Sequence, residues 1–244
     1  VKSDYRVVRI DVKNIRYIFR NDMRRISASV AAIVMETITG SNGVIIPPKG
    51  YLAGVRKICD EFGIMMICDE VMAGFGRTGK MFAFEHHGLQ PDIVTVAKGL
   101  GGGLPISAVL ARGDVAGAFA VGDHGSTLSG NQLACAAATV VVDKLKNGLI
   151  DEVAEKGEYL AGKLAYFRKY KFVKDVKGLG LLQSVELGDG LNGNYIAAQL
   201  MQAGILVNVT KYNVIRLLPP YTIEKSEIDD FCAKLDEIFA KTNI

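Results

Sequence analysis

Three short apolar runs in this 244-residue chain each stop on an ionisable side chain: SVAAIVM (Ser29–Met35) on Glu36, IMMIC (Ile64–Cys68) on Asp69 and Glu70, and IVTVA (Ile93–Ala97) on Lys98. Runs this short and this apolar are expected to be buried strands. Between the first two lies PPKGYLAGVRKICDEFG, with Pro48 near its start, Leu52, Val55, Ile58, Cys59 and Phe62 on one face, and Gly63 as its stop. That pattern predicts an amphipathic helix with both end signals. Strand, helix and strand in sequence form a crossover unit, right-handed by expectation. Sheets built this way put their chemistry beyond the carboxyl ends of the strands, where Glu36, Asp69 and Lys98 all fall. SAVLA (Ser107–Ala111) adds one more strand.

The remainder is less regular. YRVVRIDV near the start alternates as a strand does, and Asn14–Arg25 reads as a short helix. A helix is predicted from about Asn131 to Lys146, capped by Ser129 or Asn131, and another from about Asp151 to Tyr170. FVKDVKGLGLLQSVEL reads as a hairpin, followed by a helix Tyr195–Gln202, strands ILVNV and VIRLL, a Pro219-Pro220 break, and a last helix from about Glu224 to Lys241. This alternation predicts an α/β fold with a mostly parallel larger sheet over residues 1–155, and a small α/β lobe over 156–244.

Composition narrows the function classes. Hydrophobic residues make up 49% of the chain, enough for one large core or for one large core plus a small lobe. The net charge of +3 arises from 29 basic and 26 acidic residues without a long basic block, which gives no case for nucleic acid or an anionic membrane. No apolar run reaches spanning length and no secretory signal opens the chain, so a cytoplasmic location is expected. Cys59, Cys68, Cys135 and Cys232 lie far apart, so reduced core thiols are expected, with neither disulfides nor a metal site. His86, His87 and His124 have no ligand spacing and read as loop residues. The first residue is Val1, which suggests a piece of something longer.

Four positions carry candidate chemistry. A lysine at a core edge, like Lys98, loses hydration, which favours the neutral amine that attacks a carbonyl to form a Schiff base; a lysine snorkelling from a strand end into water fits the same residues. A carboxylate such as Asp69 could keep the ring nitrogen of an aromatic cofactor protonated, or serve as a cap or ion pair. HGSTLSGN offers the Thr127 hydroxyl near a helix start, a geometry for phosphate or for a plain cap. Arg216, in VIRLLPP, suits either a buried acid or the carboxylate of a ligand. Two patterns mislead. GFGRTGK (Gly74–Lys80) resembles a nucleotide phosphate loop, but Met81 stands where Ser or Thr must hold magnesium. GLGGGL has Leu104 where a dinucleotide loop needs its third glycine.

Taken in order, VMETITGSNGVIIPPKGYL, ICDEVMAGFGRTG, PDIVTVAKGLGGGLPISAVLA, HGSTLSGNQLACAAA and VIRLLPPYTI closely resemble the class III pyridoxal-phosphate aminotransferases, from about Ser29 onward. The resemblance implies fold type I and pyridoxal 5'-phosphate as cofactor. It makes Lys98 the Schiff-base lysine and proton shuttle, Asp69 the ring-nitrogen partner, and Val71 the residue packed on the ring. Thr127 becomes the phosphate-binding hydroxyl, reaching the neighbouring subunit of a homodimer, and Arg216 the arginine for a substrate α-carboxylate. Glu36 joins the cofactor-binding set. The implied reaction moves an amino group from an ω-amino donor to a 2-oxo acid, pyruvate or 2-oxoglutarate. The first half is most similar to the ω-amino acid:pyruvate branch and the second to the acetylornithine branch. Ser41 and Met72 stand where the latter usually has Glu and Gln. The family's amino-terminal segment, with a phosphate turn and a ring-stacking aromatic, has no counterpart here. A truncated non-catalytic chain, an aminomutase and a decarboxylase of the same fold share these motifs and stand as alternatives.

Overall fold

The computed structural model describes residues 6–9 and 30–242; the predicted helix Asn14–Arg25 lies outside them. The described chain forms two compact units. The first holds the described residues up to Thr37, with Pro47–Phe75 and Met81–Asn147; the second holds Ile38–Ile46, Gly76–Lys80 and the chain from Gly148 on. The chain thus leaves the first unit just after each of the first two acidic strand ends and returns within about ten residues. No helix among the described residues is long and apolar enough to cross a membrane.

The first unit is built on a five-stranded sheet, β1 (Arg6–Arg9), β2 (Val30–Glu36), β3 (Met65–Asp69), β4 (Ile93–Val96) and β5 (Ala108–Ala111), in that spatial order. β1 to β4 run parallel and β5 is antiparallel to β4. Side chains alternate between the faces of a strand. Ile33 and Met35 of β2 and Met66 and Cys68 of β3 share one face and are buried. The crossover helix α1 (Tyr51–Phe62) covers that face with Tyr51, Leu52, Val55 and Cys59. Its ends are set by Gly50 and Gly63, both left-handed, and the Gly63 N–H bonds back toward the last turn at Cys59 O. Each such buried aliphatic contributes roughly 1.5–3 kcal/mol. The opposite face, with Val34, Glu36, Ile67, Asp69 and Thr95, is only half-buried.

Asp92, just before β4, ties this unit together. It is 3% exposed, accepts from the Met66 N–H at 2.6 Å, and pairs with Arg56 of α1 at 2.7 Å and with Arg112, just past β5, at 3.0 Å. Burial alone would raise its pKa; the Met66 N–H, Arg56 and Arg112 together outweigh that and hold the carboxyl below its ordinary value.

A short helix α2 (Gly113–Ala116) follows, and α3 (Gln132–Lys144) is capped by Asn131, whose side chain accepts from the Ala134 N–H at 3.1 Å. Only Ala134 and Ala138 of α3 are buried, so Cys135 is exposed and is not the core thiol expected of it. A π turn, Leu145–Leu149, leads into α4 (Ile150–Ala165). The expected loop at His86 and His87 is a 3-10 turn, Ala83–His87.

The second unit carries a four-stranded antiparallel sheet, β6 (Val173–Leu179), β7 (Leu182–Leu187), β8 (Asn208–Thr210) and β9 (Val214–Leu217), ordered β6-β7-β9-β8. Helices α4, α5 (Gly193–Gln202) and α6 (Lys225–Lys241) bury Leu160, Leu164, Ile196, Leu200, Leu235 and Phe239 with β7. β8 begins later than the apolar run ILVNV suggests. Its extent follows the tight turn to β9, in which Lys211 and Tyr212 are left-handed and Thr210 pairs with Val214. At the β6–β7 turn Gly180 has φ +55°, and Gly157 of α4 approaches it so closely that a Cβ on Gly157 would lie 2.4 Å from the Gly180 Cα.

Two stability measurements follow. Because the folded pKa of Asp92 lies below its unfolded value, its contribution is present above about pH 4 and is lost as pH falls through the folded pKa. Asp92→Asn should cost about 3 kcal/mol at neutral pH in urea unfolding, with the gap to wild type closing in acid. Alanine favours a helix interior over glycine by about 1 kcal/mol, yet overpacking costs about 1–3 kcal/mol. Gly157→Ala should therefore lower the melting temperature; a rise would mean that the Gly157–Gly180 approach yields easily.

Candidate functional site

The parallel register fixes the row in which the acidic strand ends meet. Glu36 of β2 is the lateral partner of Asp69 of β3, and Asp69 that of Thr95 of β4. All three are half-buried and share the face opposite α1. Asp69 Oδ1 accepts from the Val71 N–H at 3.1 Å, while its Oδ2 has no hydrogen-bond partner among the described residues. A half-buried carboxylate with one oxygen tied and one open fits a protonated ring nitrogen. Beneath the row, burial and then the charge of Glu70 push the Cys68 thiol up to about 12, so it is an inert core side chain.

Lys98 departs from expectation. It is exposed rather than held within the core edge. β4 ends at Val96, Ala97 is extended, and Lys98 turns left-handed at φ +44° to open a 3-10 turn, Lys98–Gly101, which carries it past the end of the sheet. A left-handed lysine costs roughly 1–2 kcal/mol relative to ordinary backbone, and such strain clusters at functional sites. The turn is packed against α3: a Cβ on Gly102 would lie 2.9 Å from Val141 Cγ2, and one on Gly101 2.9 Å from Ile106 Cγ2. Among the described residues the Lys98 amine forms neither an ion pair nor a hydrogen bond.

Thr127 lies in the exposed loop ahead of α3, its cap role taken by Asn131. Arg216, on β9, belongs to the second unit. Its Nη1 donates to Gly40 O at 2.9 Å, burial lowers its pKa from the ordinary value, and it borders a cavity of about 770 Å³ lined also by Leu160, Asn208, Pro219 and Phe231. The loop that resembles a nucleotide phosphate site is occupied otherwise: Arg77 lies 4.4 Å from the Tyr221 ring centre and donates to Pro219 O at 2.6 Å.

One residue escapes sequence reasoning. Glu70 is fully buried, with Thr37 Oγ1 donating to it at 2.6 Å and the N–H groups of Ala83 and Phe84 at 2.9 and 3.0 Å. The available signal was an acid between Asp69 and the apolar VMA, too close to a strand end to reach water freely.

Known proteins are similar to this chain over most of its length. The family description "Aminotransferase class-III" matches residues 8–239. An acetylornithine aminotransferase of Methanocaldococcus jannaschii is 44% identical over 93% of this chain and 58% of its own length. An ornithine aminotransferase 1 of Staphylococcus aureus is 44% identical over 88% of this chain and 54% of its own. The chain therefore spans somewhat more than half the length of these relatives. Among solved structures, acetylornithine aminotransferase from Elizabethkingia anophelis superposes with a TM-score of 0.91 at 28% identity, covering 99% of this chain and 67% of that one. Ornithine aminotransferase from Plasmodium yoelii gives 0.86 at 31% identity, covering 98% and 65%. Matched over residues 8–239, the chain belongs to the class III aminotransferases, a pyridoxal-phosphate-dependent family.

Proposed function

We propose that this chain takes part in pyridoxal-phosphate-dependent transamination, moving an amino group from an ω-amino donor such as acetylornithine, ornithine or an ω-amino acid to a 2-oxo acid, pyruvate or 2-oxoglutarate. The observation that carries the reading is the row of Glu36 and Asp69 on the half-buried face of the sheet, with Lys98 at the next strand end. The bound cofactor supplies an electron sink for a substrate carbanion. The Asp69 carboxylate, oriented by the Val71 N–H, would keep a ring nitrogen of the cofactor protonated, and Val71 would pack against the ring. Glu36 borders the cofactor beside Asp69. Lys98 Nζ would hold the cofactor and, when free of it, would take up and return the proton at the substrate Cα. Thr127 donates its hydroxyl to the phosphate across a homodimer. Arg216 binds the carboxylate of the substrate.

In this reading residues 1–155 are the carboxyl-terminal portion of the cofactor-binding domain and 156–244 the small domain of a cytoplasmic enzyme. The homodimer is supported by an apolar stretch open to solvent in the first unit: Val109, Phe119, Val121, Leu128 and Leu133 are each more than half exposed. Large apolar side chains left exposed together in one part of a chain mark protein–protein interaction sites.

Amino transfer from acetylornithine or ornithine to 2-oxoglutarate, followed by product analysis, tests this directly. Lys98→Ala should reduce the rate at least 10²–10⁴-fold, and Asp69→Asn about 10²–10³-fold. Wild-type rates in Lys98→Ala would remove the lysine from the chemistry, and product formed without a 2-oxo acid would favour a mutase or decarboxylase. Arg216→Met should raise KM for the 2-oxo acid about 10–100-fold with a smaller change in kcat, since it loses charged hydrogen bonds made equally before and during reaction.

A further inference from the structure

The edge that carries Glu36, Asp69 and Thr95 is held by a residue that points away from it. Glu70 follows Asp69 directly, so its side chain leaves the strand on the buried side while Asp69 faces the open one. Its backbone N–H donates to Thr95 O at 2.9 Å, fixing the end of β3 to β4. Its carboxylate takes the Thr37 hydroxyl, one residue past Glu36, fixing the end of β2. The same carboxylate accepts from the Ala83 and Phe84 N–H groups, at the point where the chain has returned from its excursion through Gly76–Lys80. Its carbonyl accepts from the Gly74 N–H at 2.9 Å, and a Cβ on Gly74 would lie 2.7 Å from that oxygen, so the segment after β3 turns tightly on Glu70 itself.

Three donors converge on one side chain, which suits a carboxylate, since both its oxygens accept and neither donates. Burial pushes the Glu70 carboxyl up from its ordinary value, and the bonds from Thr37, Ala83 and Phe84 oppose that shift. A buried acid so fully engaged is costly to place in a core unless its bonds do something that an apolar residue could not. Here they join the ends of β2 and β3 and both feet of the 71–82 segment.

We propose that Glu70 is a positioning residue, whose hydrogen bonds to Thr37, Ala83 and Phe84 set the relative places of Glu36, Asp69 and Val71 and so aim the Asp69 carboxylate. The aim toward a ring nitrogen rests on the function proposed above; the geometry it fixes does not. Glu70→Gln keeps the volume but replaces one accepting oxygen by an NH₂ group that must face a donor. Thr37→Val removes one donor and keeps the shape.

The test compares these variants with wild type by amide hydrogen exchange on the chain without cofactor, and by pyridoxal phosphate titration followed in the visible band across pH. Faster exchange at Ala83 and Phe84 follows from the lost bonds themselves. The informative amide is Val71, bonded to Asp69, which should exchange at least about tenfold faster in Glu70→Gln and in the same direction, but less, in Thr37→Val. Cofactor affinity should fall about tenfold or more, and the pH midpoint of the bound band should move toward lower pH as the ring nitrogen loses its aimed partner. Unchanged Val71 exchange in both variants overturns the proposal, as does wild-type affinity with an unmoved midpoint in a cofactor-binding variant whose melting temperature alone has dropped. Should Glu70→Gln fail to fold, Thr37→Val decides by the same criteria. Should the wild type take up no cofactor while Val71 exchange responds, the positioning role stands and the proposed function fails.

Discussion

A parallel sheet collects the polar groups that follow its strands along one edge, where the regular ladder has stopped and no longer satisfies them. In this chain that edge is held by hydrogen bonds rather than by apolar packing. Glu70 binds the residue after β2, the strand β4 and the returning loop, while Asp92 does the corresponding work from the other end of β4 with Met66, Arg56 and Arg112. Between these two buried acids lie the strands that carry Asp69 and lead to Lys98. A deviation at either acid would be felt along the row, since lateral partners in a ladder cannot shift independently.

Two excursions of the chain, one after β2 and one after β3, contribute residues to the second unit. Residues 38–46 leave directly after Glu36 and Thr37, and 76–80 leave five residues after Val71. In the second unit Gly40 receives Arg216, and Arg77 binds Pro219 O just beyond β9. The glycines of GFGRTGK therefore serve close packing instead of phosphate binding: Gly76 and Gly79 are left-handed, and a Cβ on Gly79 would lie 3.0 Å from Ala154. A motif that satisfies a phosphate-loop pattern in sequence is used here as a structural turn around a half-buried guanidinium.

Much of this was legible in the chain. The three apolar runs, their ionisable stops and the helix between Pro48 and Gly63 follow from periodicity and capping, and they appear within one or two residues of where those signals put them. The antiparallel direction of β5 was not legible, because direction is settled by the turn geometry after Gly101 and not by the composition of SAVLA. Nor was the left-handed backbone of Lys98, which arises from how the 98–101 turn packs on α3. The exposure of Lys98 runs against the reading of a core-edge amine, since a short apolar strand specifies burial of itself and not of the residue two positions on. Glu70 was visible as an acid and opaque as a hub: its partners at 37 and 83 to 84 are distant in sequence and two of them are backbone groups, which no side-chain pattern reveals.

The central claim is that the strand-end edge places one particular amine for a carbonyl. Mixing the chain with pyridoxal phosphate, reducing with borohydride and mapping the adduct by peptide mass measures this most directly. The account predicts a single adduct on Lys98, lost in Lys98→Ala. Absence of an adduct, or labelling spread over exposed lysines with Lys98 no more reactive than the rest, would contradict it.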